Sequence, residues 1–360
     1  MNLVVAEKPS VALSIAKVIG ADRRKDGYYE GNGYKVSWCV GHLVQMSNPD
    51  KYDEKYAKWN LKELPIIPNE YKYEVSKSTK KQFAVLKRLM NEKEADTIIN
   101  ACDAGREGES IFRLVYQMTD SKKKMKRLWI SSMEDSAIRD GFQNLKDGSV
   151  YDNLFESAKA RAIADWLVGM NISRLYACIY KQYYSVGRVQ TPTLAMIVTR
   201  DDEIDRFKKE KYFTVDISLD GFSLSTDRID DLNEANRLLN AIGKVVEIND
   251  VIKNEKVTKP DLPFDLTTLQ RECNKYFGFS AKQTLDYAQS LYEKKLITYP
   301  RTDSRYLSED MITNTINNII GKHDFDTDRI KIVFNSKKVT DHHAIIPTIS
   351  SMKEDISKLP

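Results

Sequence analysis

The sequence predicts a multidomain chain that is α/β over its first 150 residues and mainly α beyond them. Three observations carry this. Short apolar runs alternate with helical ones as far as about residue 150, long helical periodicities take over from Asp152, and Lys259-Pro260 and Leu262-Pro263 punctuate a late boundary. A length of 360 residues leaves room for two or three domains, each able to bury a core.

In order, Leu3 to Ala6 reads as a buried strand, Ser10 to Ile19 as a helix, Lys35 to Val40 as a strand and Lys80 to Asn91 as a helix. Ala95 to Ala101 then reads as a buried strand running into Asp103, Ser110 to Met118 as a helix and Arg127 to Ile130 as another strand. That alternation predicts a mainly parallel sheet. From Asp152, Ala158, Ala162, Ile163, Trp166 and Leu167 keep helical spacing, and a helix after Pro192 carries Leu194, Ile197 and Val198 on one face. Tyr212 to Leu219 and Lys244 to Val257 read as extended strands. Helices return at Leu266 to Phe277 and Ala281 to Lys294, the second with Ser280 as its N-cap.

Composition narrows the class. No apolar run approaches the roughly 20 residues a bilayer span needs, and the N-terminus has no charged stretch leading into a long greasy one. A cytoplasmic protein without a membrane partner is expected. Cys39, Cys102, Cys178 and Cys273 form no CxxC or Cys/His cluster, so they read as buried small hydrophobes in a reducing compartment and signal neither disulfides nor zinc. The net charge of +4 announces no polyanion by itself. Basic residues gather at Lys77, Lys80, Lys81, Lys87 and Arg88, at Lys122 to Arg127, and around Arg188, Arg301 and Arg305; each run reads as a solvated face unless other features converge on it.

Five segments carry chemistry. Ala6-Glu7-Lys8-Pro9-Ser10 joins a buried strand to a helix, so Glu7 and Lys8 face the crevice beyond the strand ends, where parallel sheets bind ligands. Pro9 suits the first helical turn. Asp103-Ala104-Gly105-Arg106-Glu107-Gly108-Glu109 repeats this placement with three carboxylates in seven residues, a cluster that calls for a cation, beside an arginine suited to phosphate. Asp103 and Glu107, joined by Glu7, make an all-oxygen site that favours Mg²⁺. In Thr298-Tyr299-Pro300-Arg301, the proline keeps Tyr299 extended, so its hydroxyl can attack a phosphodiester while Arg301 stabilises the developing charge; packing is the competing reading. Asp341-His342-His343 holds two of four histidines, with no partner ligand near in sequence, and reads as one histidine aimed at a phosphate and one packed structurally. Ser185-Val186-Gly187-Arg188-Val189-Gln190-Thr191-Pro192 is a glycine-hinged loop opening a helix, a phosphate cradle in which Arg188, Gln190 and Thr191 take part. Tyr180, Tyr183 and Tyr184 just before it offer rings for stacking on unpaired bases, or for a core.

In this order the five segments resemble the type IA DNA topoisomerases, within them the topoisomerase III branch, from residue 1 to about 350. The resemblance implies a Toprim-type α/β domain at 1–150, the first part of a helical single-strand-binding domain at 151–210 and the first arm of a β arch at 211–262. It further implies a winged-helix-like nucleophile domain carrying Tyr299 at 263–348 and the start of a return segment at 349–360. Tyr299 falls on the nucleophile that forms a 5′-phosphotyrosine link, Lys8 on the active-site lysine, Arg301 on the adjacent arginine, and Glu7 on the strand-one glutamate. Asp103, Gly105 and Glu107 fall on the acidic triplet, and His342 on the histidine that sets the nucleophile region on DNA. Arg188 and Gln190, with Ser185 and Thr191 beside them, fall on the strand-binding loop, and Arg106 adds a further DNA contact.

Two departures follow. The triplet commonly reads Asp-x-Asp-x-Glu, whereas Gly105 stands in the middle here, so a single Mg²⁺ held by Asp103 and Glu107 with help from Glu7 is expected. The chain stops at Leu359-Pro360, short of the family's return through the arch, so a partial arch and an unclosed ring are expected. The implied activity is ATP-independent, Mg²⁺-dependent cleavage and resealing of single-stranded or negatively supercoiled DNA, relaxing or decatenating it; no GxxxxGK[ST] segment is present to bind a nucleotide cofactor. The rival reading is a truncated, non-catalytic single-stranded DNA-binding fragment of the same family. A Toprim nuclease or primase needs no tyrosine, and Tyr-Pro-Arg counts against it.

Overall fold

The computed structural model describes residues 1–243, 245, 247, 250–312, 331–339 and 341–353. They form two compact units: Met1–Val186 together with the described residues from Asp261 onward, and Gly187–Pro260.

The first unit is built on a seven-stranded sheet. In chain order its elements are β1 (Asn2–Ala6), α1 (Pro9–Ile19), β2 (Arg23–Lys25), β3 (Tyr28–Gly31), β4 (Tyr34–Trp38), β5 (Val44–Met46), β6 (Tyr73–Val75), α2 (Lys80–Asn91), β7 (Thr97–Ala101), α3 (Arg106–Met118), β8 (Lys124–Arg127), α4 (Asp135–Gln143), β9 (Lys146–Asp147) and α5 (Asp152–Tyr180). The sheet order is β2-β3-β4-β1-β7-β8-β9, with β5 and β6 pairing separately. The central pairs β4/β1, β1/β7 and β7/β8 are parallel, while both edges are antiparallel. β1 holds the centre because it is apolar on both faces: Leu3 and Val5 join the cluster under α2 and α3, and Val4 and Ala6 join the one under α1.

Several sequence readings shift. The strand expected at Arg127 to Ile130 ends at Arg127, because β8 pairs with β7 from Thr97↔Lys124 to Asn100↔Arg127 and the chain then leaves the sheet. The helix expected from Ser110 begins at Arg106, taking in the acidic segment. Arg127 does not belong to a solvated basic run; it is 1% exposed. Cys39 and Cys102 are buried, but Cys178 and Cys273 are only half-buried. Two-residue turns, Asp26-Gly27 and Asn32-Gly33, make a β2-β3-β4 meander that periodicity alone did not reveal.

The C-terminal part of this unit contributes α8 and α9, spanning Leu266–Phe277 and Ala281–Glu293. Ser280 caps α9 in a full capping box with Gln283. Arg305 is structural: its guanidinium donates to the carbonyls of Pro263 and Leu262 at 2.9 and 2.8 Å. Tyr292 and Tyr299 enter the same apolar cluster as Val11, Ile15, Leu128 and Met133, so the tyrosine-bearing segment is seated on the N-terminal sheet.

The second unit holds α6 (Gln190–Asp205), the hairpin β10 (Asp216–Leu219) and β11 (Phe222–Ser225), and α7 (Leu232–Ala241). It has a small core of Val215, Ile229 and Ala235 with Phe213 against it. The helix after Pro192 is present, but Leu194, Ile197 and Val198 are exposed, not buried as a face. The strand expected from Tyr212 is regular only over Asp216–Leu219, where β11 supplies a partner. The strand expected over Lys244 to Val257 is absent among the described residues, with Val251, Ile252 and Val257 exposed; no ladder partner satisfies the backbone there, and residues 244, 246, 248 and 249 lie outside the described set. Residues 354–360, the end of the expected return segment, also lie outside it.

What shapes the sheet's functional edge is a buried charge network. Glu109 is 1% exposed and receives Arg113 Nε on Oε1 at 2.8 Å and Asn100 Nδ2 on Oε2 at 2.9 Å, while Arg127 Nε lies 3.1 Å from Oε2 as well. Glu109→Gln leaves the buried Arg127 guanidinium without its anion and Arg113 with Asp152 alone, and is expected to cost about 3–5 kcal/mol in urea denaturation. Lys124→Gln, which removes an exposed 4.0 Å pair with Asp147, should change stability by less than about 1 kcal/mol.

Candidate active site

The loop after β7 is held in shape by Arg127. Its Nη1 donates to the carbonyls of Asn100, Cys102 and Leu128 at 3.1, 2.7 and 3.0 Å, and its Nη2 to that of Asp103 at 2.7 Å. Gly108 then packs directly on Asp103: a Cβ there would come within 2.1 Å of the Asp103 carbonyl oxygen. Asp103 is thereby fixed at the sheet edge, and its N–H donates to Glu7 Oε2 at 3.3 Å. Glu7 and Asp103 are 7% and 9% exposed.

Two buried carboxylates side by side raise each other's affinity for protons. Burial first, and the Asp103 charge second, push Glu7 from 4.5 up to about 7; Lys8 and Arg301 act in the opposite sense. Asp103 is also raised by burial, with Lys8, Tyr299, Arg301 and Arg127 opposing.

Tyr299 reaches this pair across the first unit. Its N–H donates to Ser131 O at 3.1 Å, Thr298 beside it bonds Ile346 O, and the ring meets Tyr292 edge-on at 5.2 Å and His342 at 4.5 Å. The phenol interacts with the Asp103 carboxylate, and burial, with that carboxylate second, raises it well above its ordinary range, while Arg301 lowers it. The ring is 7% exposed, yet it lines a cleft of about 610 Å³ together with Asp103, Gly105, Arg106, Glu107, Arg301, Asp341 and His342. Packing and reactivity, weighed as alternatives from sequence, coincide here.

The remaining candidates divide. Arg301 is exposed in the cleft wall. Arg106 lines it with Nε buried and unpartnered. Lys8 pairs with Glu293 at 2.9 Å. His342 is buried, with Nδ1 3.0 Å from Ser131 Oγ and Nε2 against Ala104 O, stacked by Trp129, and burial lowers its pKa. It therefore bridges the acidic loop and the tyrosine segment. His343 is half-buried and contacts Ala344 O at 2.7 Å. Glu107 does not join Glu7 and Asp103: its carboxylate lies 3.4 Å from His42 Nε2, and among the described residues no three potential ligands form a metal cluster. Glu109, the third acidic residue of the segment, is structural. Ser185 is exposed and does not line the cleft. In the second unit, Thr191 Oγ1 accepts the Gly187 N–H at 3.1 Å and Arg188 and Gln190 are exposed, so the loop is closed on itself at the start of α6. Ser131, Tyr292 and Glu293 went unnoticed in sequence and Arg127 was read as part of a solvated basic run, since nothing local marks a carbonyl, a helix-end acid or a buried arginine.

Fold and site define a Toprim-type sheet whose acidic edge is met by a tyrosine from a distant segment. A family model described as Toprim domain matches residues 2–133, and one described as DNA topoisomerase matches residues 149–359. Over 96% of its length the chain is 43% identical to DNA topoisomerase 3 of Bacillus cereus, and 42% identical to that of Staphylococcus epidermidis, covering 50% and 51% of those proteins. Full-length topoisomerase I of Thermotoga maritima superposes with a TM-score of 0.68 at 27% identity, over 96% of this chain and 55% of that one. The chain belongs to the type IA DNA topoisomerase family, on the topoisomerase III side, and spans about half the length of the curated relatives it matches. Its Toprim domain is of a metal-binding kind.

Because the folded state holds the Glu7 proton more tightly than the unfolded chain, the stability this group adds is fully present below about pH 4.5 and is lost as pH rises through about 7. In chelator-treated buffer, Glu7→Gln should therefore stabilise the chain at pH 8, on the order of 2–3 kcal/mol, and much less at pH 4.5; urea titrations at the two pH values check the sign.

Proposed function

We propose that the chain carries the strand-cleaving centre of a type IA topoisomerase, with single-stranded or negatively supercoiled DNA as substrate and the cytoplasm as its place of action. The observation that carries this is the seating of Tyr299 against Asp103, itself held on Glu7, in a cleft lined by Arg106 and Arg301. Tyr299 Oη attacks a backbone phosphorus and its proton passes to Asp103. The phosphorus–O3′ bond breaks, and the leaving oxygen takes a proton from Glu7, whose value near 7 keeps it partly protonated at neutral pH. Arg301, Lys8 and the unpartnered Nε of Arg106 stabilise the charge on the non-bridging oxygens. The phosphodiester energy is stored in the phosphotyrosine, so resealing is the reverse reaction and needs no nucleotide. DNA-contact roles for His342, Ser185, Arg188, Gln190 and Thr191 belong to the same proposal.

The donor set fits a hard divalent cation. Two crowded, mutually repelling carboxylates are relieved by a positive charge, and Glu107 stands on the same loop at the cleft wall. Asp103 and Glu107, with Glu7, would hold Mg²⁺ in the states in which each is ionised, with Glu107 exchanging His42 for the ion. When bound it supplies positive charge beside the phosphate. Gly105 has room for more: a Cβ there meets nothing within 4 Å, and its φ of 163° is one any residue adopts. The missing third carboxylate is thus a matter of composition and not of crowding.

Incubation with an end-labelled single-stranded oligonucleotide followed by denaturation should trap a covalent adduct that Tyr299→Phe abolishes while oligonucleotide binding stays within about twofold. Binding without any adduct in the unaltered chain favours the non-catalytic fragment. Gly105→Asp should lower the Mg²⁺ concentration at half-saturation about tenfold, read by titration calorimetry without DNA, as one added carboxylate ligand warrants; an unchanged titration argues against the ion sitting on this loop.

A further inference from the structure

Lys8 is the N-cap residue of α1, next in sequence to Glu7. Its ammonium lies 2.9 Å from Oε1 of Glu293, the last residue of α9. That carboxylate gathers two further donors, Ser10 Oγ on Oε2 at 3.2 Å and Gln289 Nε2 on Oε1 at 3.1 Å. Gln289 leaves its own Oε1 buried with no partner, the kind of unsatisfied group that asks for an explanation in a native fold. Here the explanation is that the amide is spent on orienting Glu293. The neighbouring Tyr292 packs on Tyr299, so a single turn of α9 touches both the nucleophile and Lys8.

We infer that Glu293 is the positioning residue for Lys8, a carboxylate fixed by Gln289 and Ser10 that holds the ammonium beside the Glu7–Asp103 pair, where the phosphate under attack arrives. The inference rests on the transesterification reading. A lysine stem is flexible and its head is a compact charge that seeks the nearest anion. The Lys8 charge already reaches Glu7 and Asp103. Without Glu293 nothing on α9 holds the ammonium in one place. Glu293 therefore acts through Lys8: it fixes the direction in which the cation points. Because Glu293 and Tyr299 arrive on the same segment, the lysine is oriented only when the nucleophile is seated.

The test is a double-mutant cycle on this chain, with single-turnover adduct formation on a labelled single strand measured for the unaltered chain, Lys8→Ala, Glu293→Gln and the double variant, and the oligonucleotide dissociation constant measured alongside. Glu293→Gln should slow adduct formation about tenfold, within the usual coupling range for contacting residues, with the dissociation constant changed less than about twofold. It should cost nothing further once Lys8 is Ala. Additive losses, or a Glu293→Gln rate equal to that of the unaltered chain, overturn the assignment. An unaltered chain that forms no adduct overturns the parent reading instead. A second readout does not depend on the chemistry: acetylation of Lys8 by acetic anhydride, followed by mass spectrometry, should be several-fold faster in Glu293→Gln, and equal rates overturn the ion pair whatever the adduct assay gives.

Discussion

The acidic edge of the sheet has its observed shape because Glu109 and Arg127 are buried together. An arginine at 1% exposure is tolerable only with its charge met and most of its donors used; Glu109 meets the charge beside Nε, and the carbonyls of Asn100, Cys102, Leu128 and Asp103 accept from Nη1 and Nη2. Two of those carbonyls, Cys102 and Asp103, belong to the loop after β7, so satisfying Arg127 and forming the loop are one event. Asp103 and Gly108 can then sit in van der Waals contact, and Asp103 turns its N–H onto Glu7. The two carboxylates are thus placed largely by Arg127 and Glu109, neither of which lines the cleft.

Around that edge the chain arranges opposed electrostatics. Burial favours neutral carboxyls on Glu7 and Asp103 and a neutral phenol on Tyr299, while Lys8 and Arg301 favour charge on the carboxyls. At rest the balance leaves Glu7 close to neutrality of its proton equilibrium, the condition under which one group can both give and take a proton at physiological pH. His342 adds a mechanical tie, since it contacts Ser131 and Ala104 while its ring lies tilted against Tyr299.

Much of this was legible in the sequence where a signal was local. The apolar run at Leu3 to Ala6, Pro9, and the Ser280 cap fixed elements that formed as read, and the five motifs led to residues of which Glu7, Asp103, Tyr299, Arg106 and His342 meet in space. What was not legible depends on partners far along the chain. Whether Arg127 is solvent-facing or buried turns on Glu109 and on β7; whether 244–257 forms a strand turns on a ladder partner that periodicity does not supply. The edge strands were readable but unread: Asp26-Gly27, Asn32-Gly33 and Asp220-Gly221 are hairpin turns, and each joins a pair of antiparallel strands. Glu107 shows the remaining limit, because spacing put it with Asp103 while His42 claimed its carboxylate.

The depth of Tyr299 has a consequence for safety. A phenol sheltered among Tyr292, His342 and the sheet, and held un-ionised by its surroundings, is a poor target for stray electrophiles and a poor attacker of any phosphate that merely drifts past. On the transesterification proposed above, only a backbone threaded far enough to meet the guanidiniums and displace some of that cover would find it competent, and the same seat would guard DNA against accidental nicks.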